Sequence, residues 1–140
     1  MSLVLDSSVA LAWCFKDERT KASQAVLHRV AEEGAVAPSL WRFEVANGLQ
    51  MAVRRQRIDA NRRDLLLAGL ARLAISVDSD SDSHAWSASV QLSDRHGLTA
   101  YDSAYLELAQ RRRLELATLD AALIRAARAE LVPVIGSEAE

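Results

Sequence analysis

The sequence predicts an α/β fold with a central, mostly parallel sheet of about five short strands. Short apolar runs alternate with longer segments of helical periodicity, and those segments are long enough for the helical crossovers that parallel neighbours require. The chain has 140 residues, half of them hydrophobic, which is enough for one domain with its own core. The predicted strands are Leu3–Leu5, Ala35–Ala37, Ala74–Val77, Leu116–Thr118 and Val132–Ile135.

Helix boundaries follow from capping residues. Ser39 is predicted to cap a helix that runs to about Gln56. Asn61 or Arg62 opens a leucine-rich helix that continues through Leu73, and helices are expected to stop at Gly34 and Gly97. There is no internal repeat and no linker rich in Pro, Gly or Ser, so we expect a single domain over residues 1–135 and a frayed tail over residues 136–140.

A further helix is predicted after Thr99, whose hydroxyl is suited to cap it. Asp102 then lies in the first turn and borders the apolar stripe, whereas Glu107 and Gln110 fall on the face expected to be solvated. The apolar positions at helical spacing are Tyr101, Ala104, Tyr105, Leu108 and Ala109.

Composition excludes several classes of protein. No apolar run is long enough to span a membrane and no signal sequence is recognisable, so a cytoplasmic protein is expected. A single cysteine, Cys14, rules out an internal disulfide and a multi-cysteine metal site. The net charge of −2 argues against non-specific binding to nucleic acid through bulk positive charge.

Two local features of the composition carry expectations of their own. Five arginines fall between Arg54 and Arg63, a run that suits either a solvated helix end or a site for phosphate or an acidic partner. The three tryptophans and two phenylalanines lie within apolar stripes and are expected in the core.

Four carboxylates have reasons to gather. Asp6 ends the first strand and Asp120 follows the fourth, so both are expected at the carboxyl edge of the sheet, where open α/β folds place their ligands. Glu44 lies on a helix face that is otherwise apolar or small, and Asp102 lies in a first turn. Each also has a structural interpretation: Asp6 and Asp120 as helix caps, Glu44 as the partner of a buried arginine, and Asp102 as an acid favoured by its helix dipole.

Crowded carboxylates repel one another and are costly to desolvate, so the cluster makes physical sense if a hard cation such as Mg²⁺ or Mn²⁺ lies at its centre. Such a cation can activate water for attack on a phosphoryl group without a histidine or cysteine base. Ser8, two residues after Asp6, is placed to orient a ligand carboxylate or the scissile phosphate.

Four segments together resemble the PIN-domain ribonucleases, and among them the VapC toxins of bacterial toxin–antitoxin pairs. The segments cover nearly the whole chain in the same order: residues 3–8 (LVLDSS), residues 44–49 (EVANGL), residues 97–105 (GLTAYDSAY) and residues 118–120 (TLD).

The resemblance implies a PIN-like α/β/α sandwich and a Mg²⁺- or Mn²⁺-dependent endoribonuclease that leaves a 5′-phosphate and a 3′-hydroxyl. It implies that Asp6, Glu44, Asp102 and Asp120 form the metal-binding catalytic site, with Ser8 as the family's small hydroxyl residue and Asn47 beside the site. It further implies a homodimer and a cognate VapB-type antitoxin whose tail obstructs the site.

Rival functions are less well supported. A phosphoryl-accepting receiver domain is expected to keep a lysine near its last strand, but the two lysines here are Lys16 and Lys21. A haloacid-dehalogenase-type phosphatase needs an acid where Ser8 stands, and no glycine-rich phosphate loop is present. A PIN-like module that binds protein or RNA without catalysis stays open as the alternative.

Overall fold

A five-stranded sheet forms the centre of the protein, of which the computed structural model describes residues 3–137. The strand order is β3-β2-β1-β4-β5, and every neighbouring pair is parallel. The predicted α/β class with five short parallel strands is therefore confirmed. The strands are β1 (Leu3–Leu5), β2 (Ala35–Ala37), β3 (Ile75–Val77), β4 (Glu115–Ala117) and β5 (Val134–Ile135).

Helices connect the strands and flank the sheet. Two 3-10 turns, Lys16–Glu18 and Ser81–His84, complete the ordered elements. Among residues 3–137, no helix is both long and apolar enough to cross a membrane. The helices are α1 (Ser7–Cys14), α2 (Lys21–Glu33), α3 (Leu40–Arg54), α4 (Ala60–Ala71), α5 (Ala88–His96), α6 (Ala100–Arg112) and α7 (Ala121–Ala129).

The central strands are apolar along their whole length because both faces of the sheet are covered. Every residue of β1 and β2 is completely buried, as expected of parallel strands between two helical layers. The carboxyl ends of β1, β2 and β4 consequently open toward the first turns of α1, α3 and α7. This edge is where the candidate functional side chains lie.

The predicted caps are confirmed at some positions and wrong at others. The Thr99 hydroxyl accepts a hydrogen bond from the Asp102 amide, and Gly34 and Gly97 end α2 and α5 with φ of +75° and +67°. Ser39 is helical and donates its hydroxyl to Asp82 instead of capping α3. The helix α4 is capped by Asp59 and not opened by Asn61 or Arg62, because an aspartate accepts the orphan amide at the start of the helix.

The predicted burial of four residues is wrong. Phe43 and Trp86 are 79% and 95% exposed, although both lie in apolar stretches of sequence. Tyr101, at the start of the predicted apolar stripe of α6, is also exposed. Conversely, Glu107 of the predicted solvated face is buried, because Arg111 one turn later pairs with it and supplies the counter-charge.

The predicted tail begins inside the part of the chain that the structure describes. Gly136 is buried, with Val9 and Val26 around its Cα at distances that an added methyl group would just meet. Residues 138–140 lie outside the described residues. The domain boundary and the frayed tail stay predictions.

Candidate active site at the carboxyl edge of the sheet

Asp6 is the most deeply buried of the four predicted acids. It follows β1 directly and is only 4% exposed. Its carboxylate does not cap α1; instead, Oδ2 accepts hydrogen bonds from the hydroxyls of Ser8 and Thr118, each at 2.7 Å. Two hydroxyl donors on one carboxylate oxygen fix the orientation of the Asp6 side chain.

The same two hydroxyls bind the turn after β4 to this carboxylate. The Ser8 hydroxyl accepts a hydrogen bond from the Leu119 amide at 2.9 Å, and the Thr118 hydroxyl accepts one from the Asp120 amide at 3.1 Å. Each hydroxyl therefore donates to Asp6 and accepts from the backbone. The arrangement holds the ends of β1 and β4 in a fixed relation to each other.

Asp120 serves as the N-cap of α7. Its Oδ1 atom accepts a hydrogen bond from the Leu123 amide at 2.9 Å, as the capping interpretation of the sequence predicts. Among the described residues, no hydrogen bond engages its second carboxylate oxygen. One oxygen thus fixes the side chain while the other can contact a ligand.

Glu44 enters the site from α3. Its Oε1 atom accepts hydrogen bonds from the Ser7 hydroxyl at 3.2 Å and from the Tyr105 hydroxyl of α6 at 2.5 Å. The alternative of a buried arginine partner is wrong, because the partners are hydroxyls. In the described part of the chain, the Glu44 carboxylate therefore has hydroxyl partners and no cationic side chain paired with it.

Asp102 lies in the first turn of α6, and the Thr99 cap fixes the backbone there. Its carboxylate experiences the charges of Asp120, Asp6 and Glu44. Since Asp6 and Asp120 also repel each other, as do Glu44 and Asp6, all four predicted acids belong to one electrostatic cluster. Asn47, which was expected beside the site, lies exposed one turn after Glu44 on α3.

Comparison of the sequence with models of known families identifies a match. The profile described as "PIN domain" matches residues 3–129, which is most of the chain. The chain belongs to the PIN-domain family.

The chain is also similar to a curated protein and to solved structures. The curated protein Ribonuclease VapC3 of Pyrobaculum aerophilum is 28% identical over 120 residues, which cover 86% of this chain and 90% of that protein. The crystal structure of PAE2754 from the same organism matches with a TM-score of 0.64 at 24% identity, covering 90% of this chain and 86% of that one. The structure of VapBC2 from Rickettsia felis bound to a promoter DNA fragment matches with a TM-score of 0.65 at 16% identity, covering 96% and 97%.

The acids of this PIN domain resist ionisation. Burial, together with the charges of Asp120, Asp6 and Glu44, raises the pKa of Asp102 to about 6. Burial also raises the pKa of Asp6 and of Glu44, against hydrogen bonds from Thr118 and Ser8 to Asp6 and from Tyr105 to Glu44 that lower them. A cluster whose members raise one another's pKa is stabilised by any cation that enters it.

The donor chemistry of the cluster fits Mg²⁺ or Mn²⁺, which prefer carboxylate oxygens. Within residues 3–137, however, no three His, Cys, Asp or Glu side chains are already arranged as a metal-binding group. The residues that could hold such a cation are Asp6, Glu44, Asp102 and Asp120, whose charges act on one another.

Three hydroxyls around the acids have roles that sequence reasoning did not assign. Thr118 and Ser7 donate to Asp6 and Glu44, and Tyr105 was placed in an apolar stripe although its hydroxyl donates to Glu44. A polar residue at the end of a fully buried strand was the available signal for Thr118. For Tyr105 there was none, because periodicity gives the buried face of a helix but not the group it meets.

Proposed function

We propose that this PIN domain is a VapC-type toxin that cleaves RNA with the help of Mg²⁺ or Mn²⁺. The observation that carries the proposal is the acidic cluster itself: four carboxylates from separate elements gather at the edge where α/β folds bind ligands, and the charges of the other three raise the pKa of Asp102. Family membership and the ribonuclease relative support RNA as the substrate class.

The proposed role of each carboxylate follows from its contacts in the site. Asp6, fixed by two hydroxyl donors, and Asp102, on which the charges of the other three acids act, are the proposed principal ligands of the cation. Glu44 completes the ligand set or orients the attacking water, and Asp120 contributes its second oxygen from the outer side of the cluster. Ser8 holds Asp6 in position and is not itself a base.

The divalent cation, when bound, supplies activation of water and neutralises charge that develops on the phosphate. Hydroxyl donors hold the carboxylates of Asp6 and Glu44 in one orientation. In the proposed reaction, water attacks phosphorus and the bond from phosphorus to the 3′ oxygen breaks. The products are a 5′-phosphate and a 3′-hydroxyl, the latter taking a proton from solvent.

A protein antitoxin is the proposed partner, since several structural neighbours are toxin–antitoxin complexes. We also propose a homodimer in the cytoplasm. Large apolar side chains that need cover in such a dimer include Phe43 on α3, Leu65 on α4 and Val90 on α5. Leu65 is exposed on α4, whereas the large apolar side chains of α1 are buried or partly buried.

The function is tested by inducing the wild type and Asp6→Asn in a bacterial host without the antitoxin and mapping new RNA 5′-phosphate ends. Asp94→Asn, which neutralises an exposed acid on α5, is the matched control. We expect a few sharp new ends with the wild type and the control, and none with Asp6→Asn. Identical end maps from all three folded proteins would contradict the proposal.

A non-catalytic PIN-like module is distinguished by the cation alone. The nuclease should gain thermal stability with Mn²⁺ in proportion to site occupancy, and Asp102→Asn should remove most of that gain. A module without the metal site should show no gain in either form.

A further inference from the structure

A second group of charged side chains lies at the C-terminal ends of α1 and α3, away from the acidic cluster. A cleft of about 460 Å³ opens between the end of α1, the 3-10 turn Lys16–Glu18 and the loop from α3 to α4. Its walls include four cationic side chains and a single acid, Asp17. The cationic residues are Lys16, Arg19, Arg57 and Arg62.

One of these cations is structural. Arg57 donates hydrogen bonds to Asp17 and Glu18 at 3.0 Å and 2.9 Å, and its guanidinium lies 4.1 Å from the centre of the Phe15 ring. These contacts hold the α3–α4 loop against the end of α1. Arg57 and its two acids together keep one negative charge, so the three remaining cations leave the cleft with a net positive charge.

The remaining cations are open to a ligand. Arg19 uses its Nε to donate to the Trp13 carbonyl, which leaves the terminal nitrogens of its guanidinium. Across residues 3–137, the side chains of Lys16 and Arg62 form no ion pair with a carboxylate. Arg19 and Arg62 line the same cleft, and the charges of both oppose the rise in the pKa of the Cys14 thiol that burial causes.

The cleft suits phosphate better than a protein partner. Its apolar lining consists of Cys14 and Phe15, which are 6% and 8% exposed, and the partly buried Ile58. Protein interfaces generally need a desolvated apolar centre, whereas nucleic-acid contacts consist largely of cationic side chains on phosphate oxygens. Four cationic side chains against one acid therefore favour a phosphodiester.

The position of the cleft indicates a polymer. Asp6 precedes α1, and Cys14 ends it eight residues later, a separation of about 12 Å along the helix axis. A mononucleotide in the acidic site cannot extend over that distance and still contact the cations. A strand of several nucleotides can contact both.

We propose that Lys16, Arg19 and Arg62 form a second RNA-binding site that holds the phosphate backbone of the substrate several nucleotides from the bond that is cleaved. The inference rests on the proposed ribonuclease function. The site contributes affinity and selects for substrate length, while the acidic cluster performs the chemistry.

Binding of a fluorescein-labelled single-stranded RNA of about 20 nucleotides, longer than one small binding site, tests the proposal. The cleavage-deficient Asp102→Asn protein serves as the parent, and Lys16→Gln with Arg62→Gln is added to it. Losing two phosphate contacts should make the slope of log affinity against log salt shallower by about 1.4. Between 50 and 200 mM salt, the variant should therefore lose roughly sevenfold less affinity than the parent. Arg72→Gln, an exposed arginine at the other end of α4, is the matched control and should change neither value.

Cleavage by the otherwise wild-type chain separates the two proposals. With Lys16→Gln and Arg62→Gln, we expect cleavage of the long RNA to fall at subsaturating concentration, while cleavage of an oligonucleotide of about four nucleotides, too short for both sites, is unchanged. Equal salt slopes in the variant and control would overturn the second site even if the RNA is cleaved. Loss of affinity for the antitoxin alone would make the cleft a protein-binding site and also overturn the proposal. If the wild type cleaves neither RNA, the ribonuclease function itself is wrong.

Discussion

The Tyr105 hydroxyl of α6 donates a hydrogen bond to the Glu44 carboxylate of α3 at 2.5 Å, and this bond joins two helices that are far apart in the sequence. Tyr105 is completely buried, so its hydroxyl cannot form a hydrogen bond with bulk water in place of the one to Glu44. Burial and the contact with Glu44 hold the pKa of Tyr105 well above its usual range. The phenol is therefore a permanent donor that orients Glu44.

Replacing this donor tests its effect on Glu44. In Tyr105→Phe the pKa of Glu44 should rise further, so the acid limb of the pH profile of RNA cleavage should shift to higher pH. The free energy of unfolding should fall by about 1.5–3 kcal/mol, as for a buried hydrogen bond to a charged group. Tyr101→Phe on the exposed face of the same helix is the control, and a pH profile shared by both variants would contradict the assignment.

Neutralising Asp102 should stabilise the metal-free protein. The pKa of Asp102 is raised to about 6, so the folded state binds a proton more tightly than the unfolded state, and stability is lost as pH rises from about 4 to 6. At neutral pH, Asp102→Asn removes that cost, and we expect a gain of about 1–2 kcal/mol after allowance for partial solvent screening. Urea unfolding in chelator at several pH values measures it. A gain that persists unchanged below about pH 4 would show that charge repulsion is not the cause.

Thr118 is expected to act on Asp6 and Asp120 together. Thr118→Val keeps the shape but removes the donor to Asp6 and the acceptor for the Asp120 amide. Affinity for Mn²⁺ should fall by about 10–100-fold, as when outer partners of metal ligands are removed. Thr118→Ser restores the hydroxyl and should recover most of the affinity in a calorimetric titration. Equal affinities of the valine and serine variants would mean that the hydroxyl does not orient the acids.

The carboxyl edge of the sheet was predictable because parallel buried strands read as continuous apolar runs, and an acid after such a run must lie at that edge. Asp6 and Asp120 follow from this rule. Glu107 does not, because its burial depends on Arg111, whose guanidinium also bonds Asp78 beyond β3. Such a partner comes from tertiary packing, which the spacing of residues along one helix does not determine.

This ion network also predicts a large loss of stability. Arg111 pairs with the Glu107 and Asp78 carboxylates, whose side chains are 4% and 7% exposed. Arg111→Gln leaves the buried Glu107 carboxylate without a counter-charge and leaves Asp78 with only its longer contact to Arg112, and breaking a buried pair typically costs about 3–5 kcal/mol. Arg112→Gln removes only a longer contact to Asp78, at 3.6 Å, and is the matched control. Equal midpoints in urea unfolding would show that the network contributes nothing beyond a surface pair.

Gly48 allows α1 and α3 to approach each other closely. A methyl group added at Gly48 would lie 2.6 Å and 2.8 Å from the two terminal carbons of Leu11. Alanine normally stabilises a helix interior by about 1 kcal/mol relative to glycine, so a loss of about 1–3 kcal/mol in Gly48→Ala would report the clash. Gly69→Ala on α4, where an added methyl group meets nothing within 4 Å, should show the ordinary gain.

The clash at Gly48 has a specific partner, which a double-mutant cycle identifies. In a Leu11→Ala background, Gly48→Ala should cost much less, because the terminal carbons that it meets are gone. Since α1 follows Asp6 and α3 carries Glu44, the single variant should also lose RNA cleavage, and the double variant should regain part of it. If the changes in unfolding free energy of Gly48→Ala and Leu11→Ala are strictly additive in the double variant, then the added methyl group does not clash with Leu11.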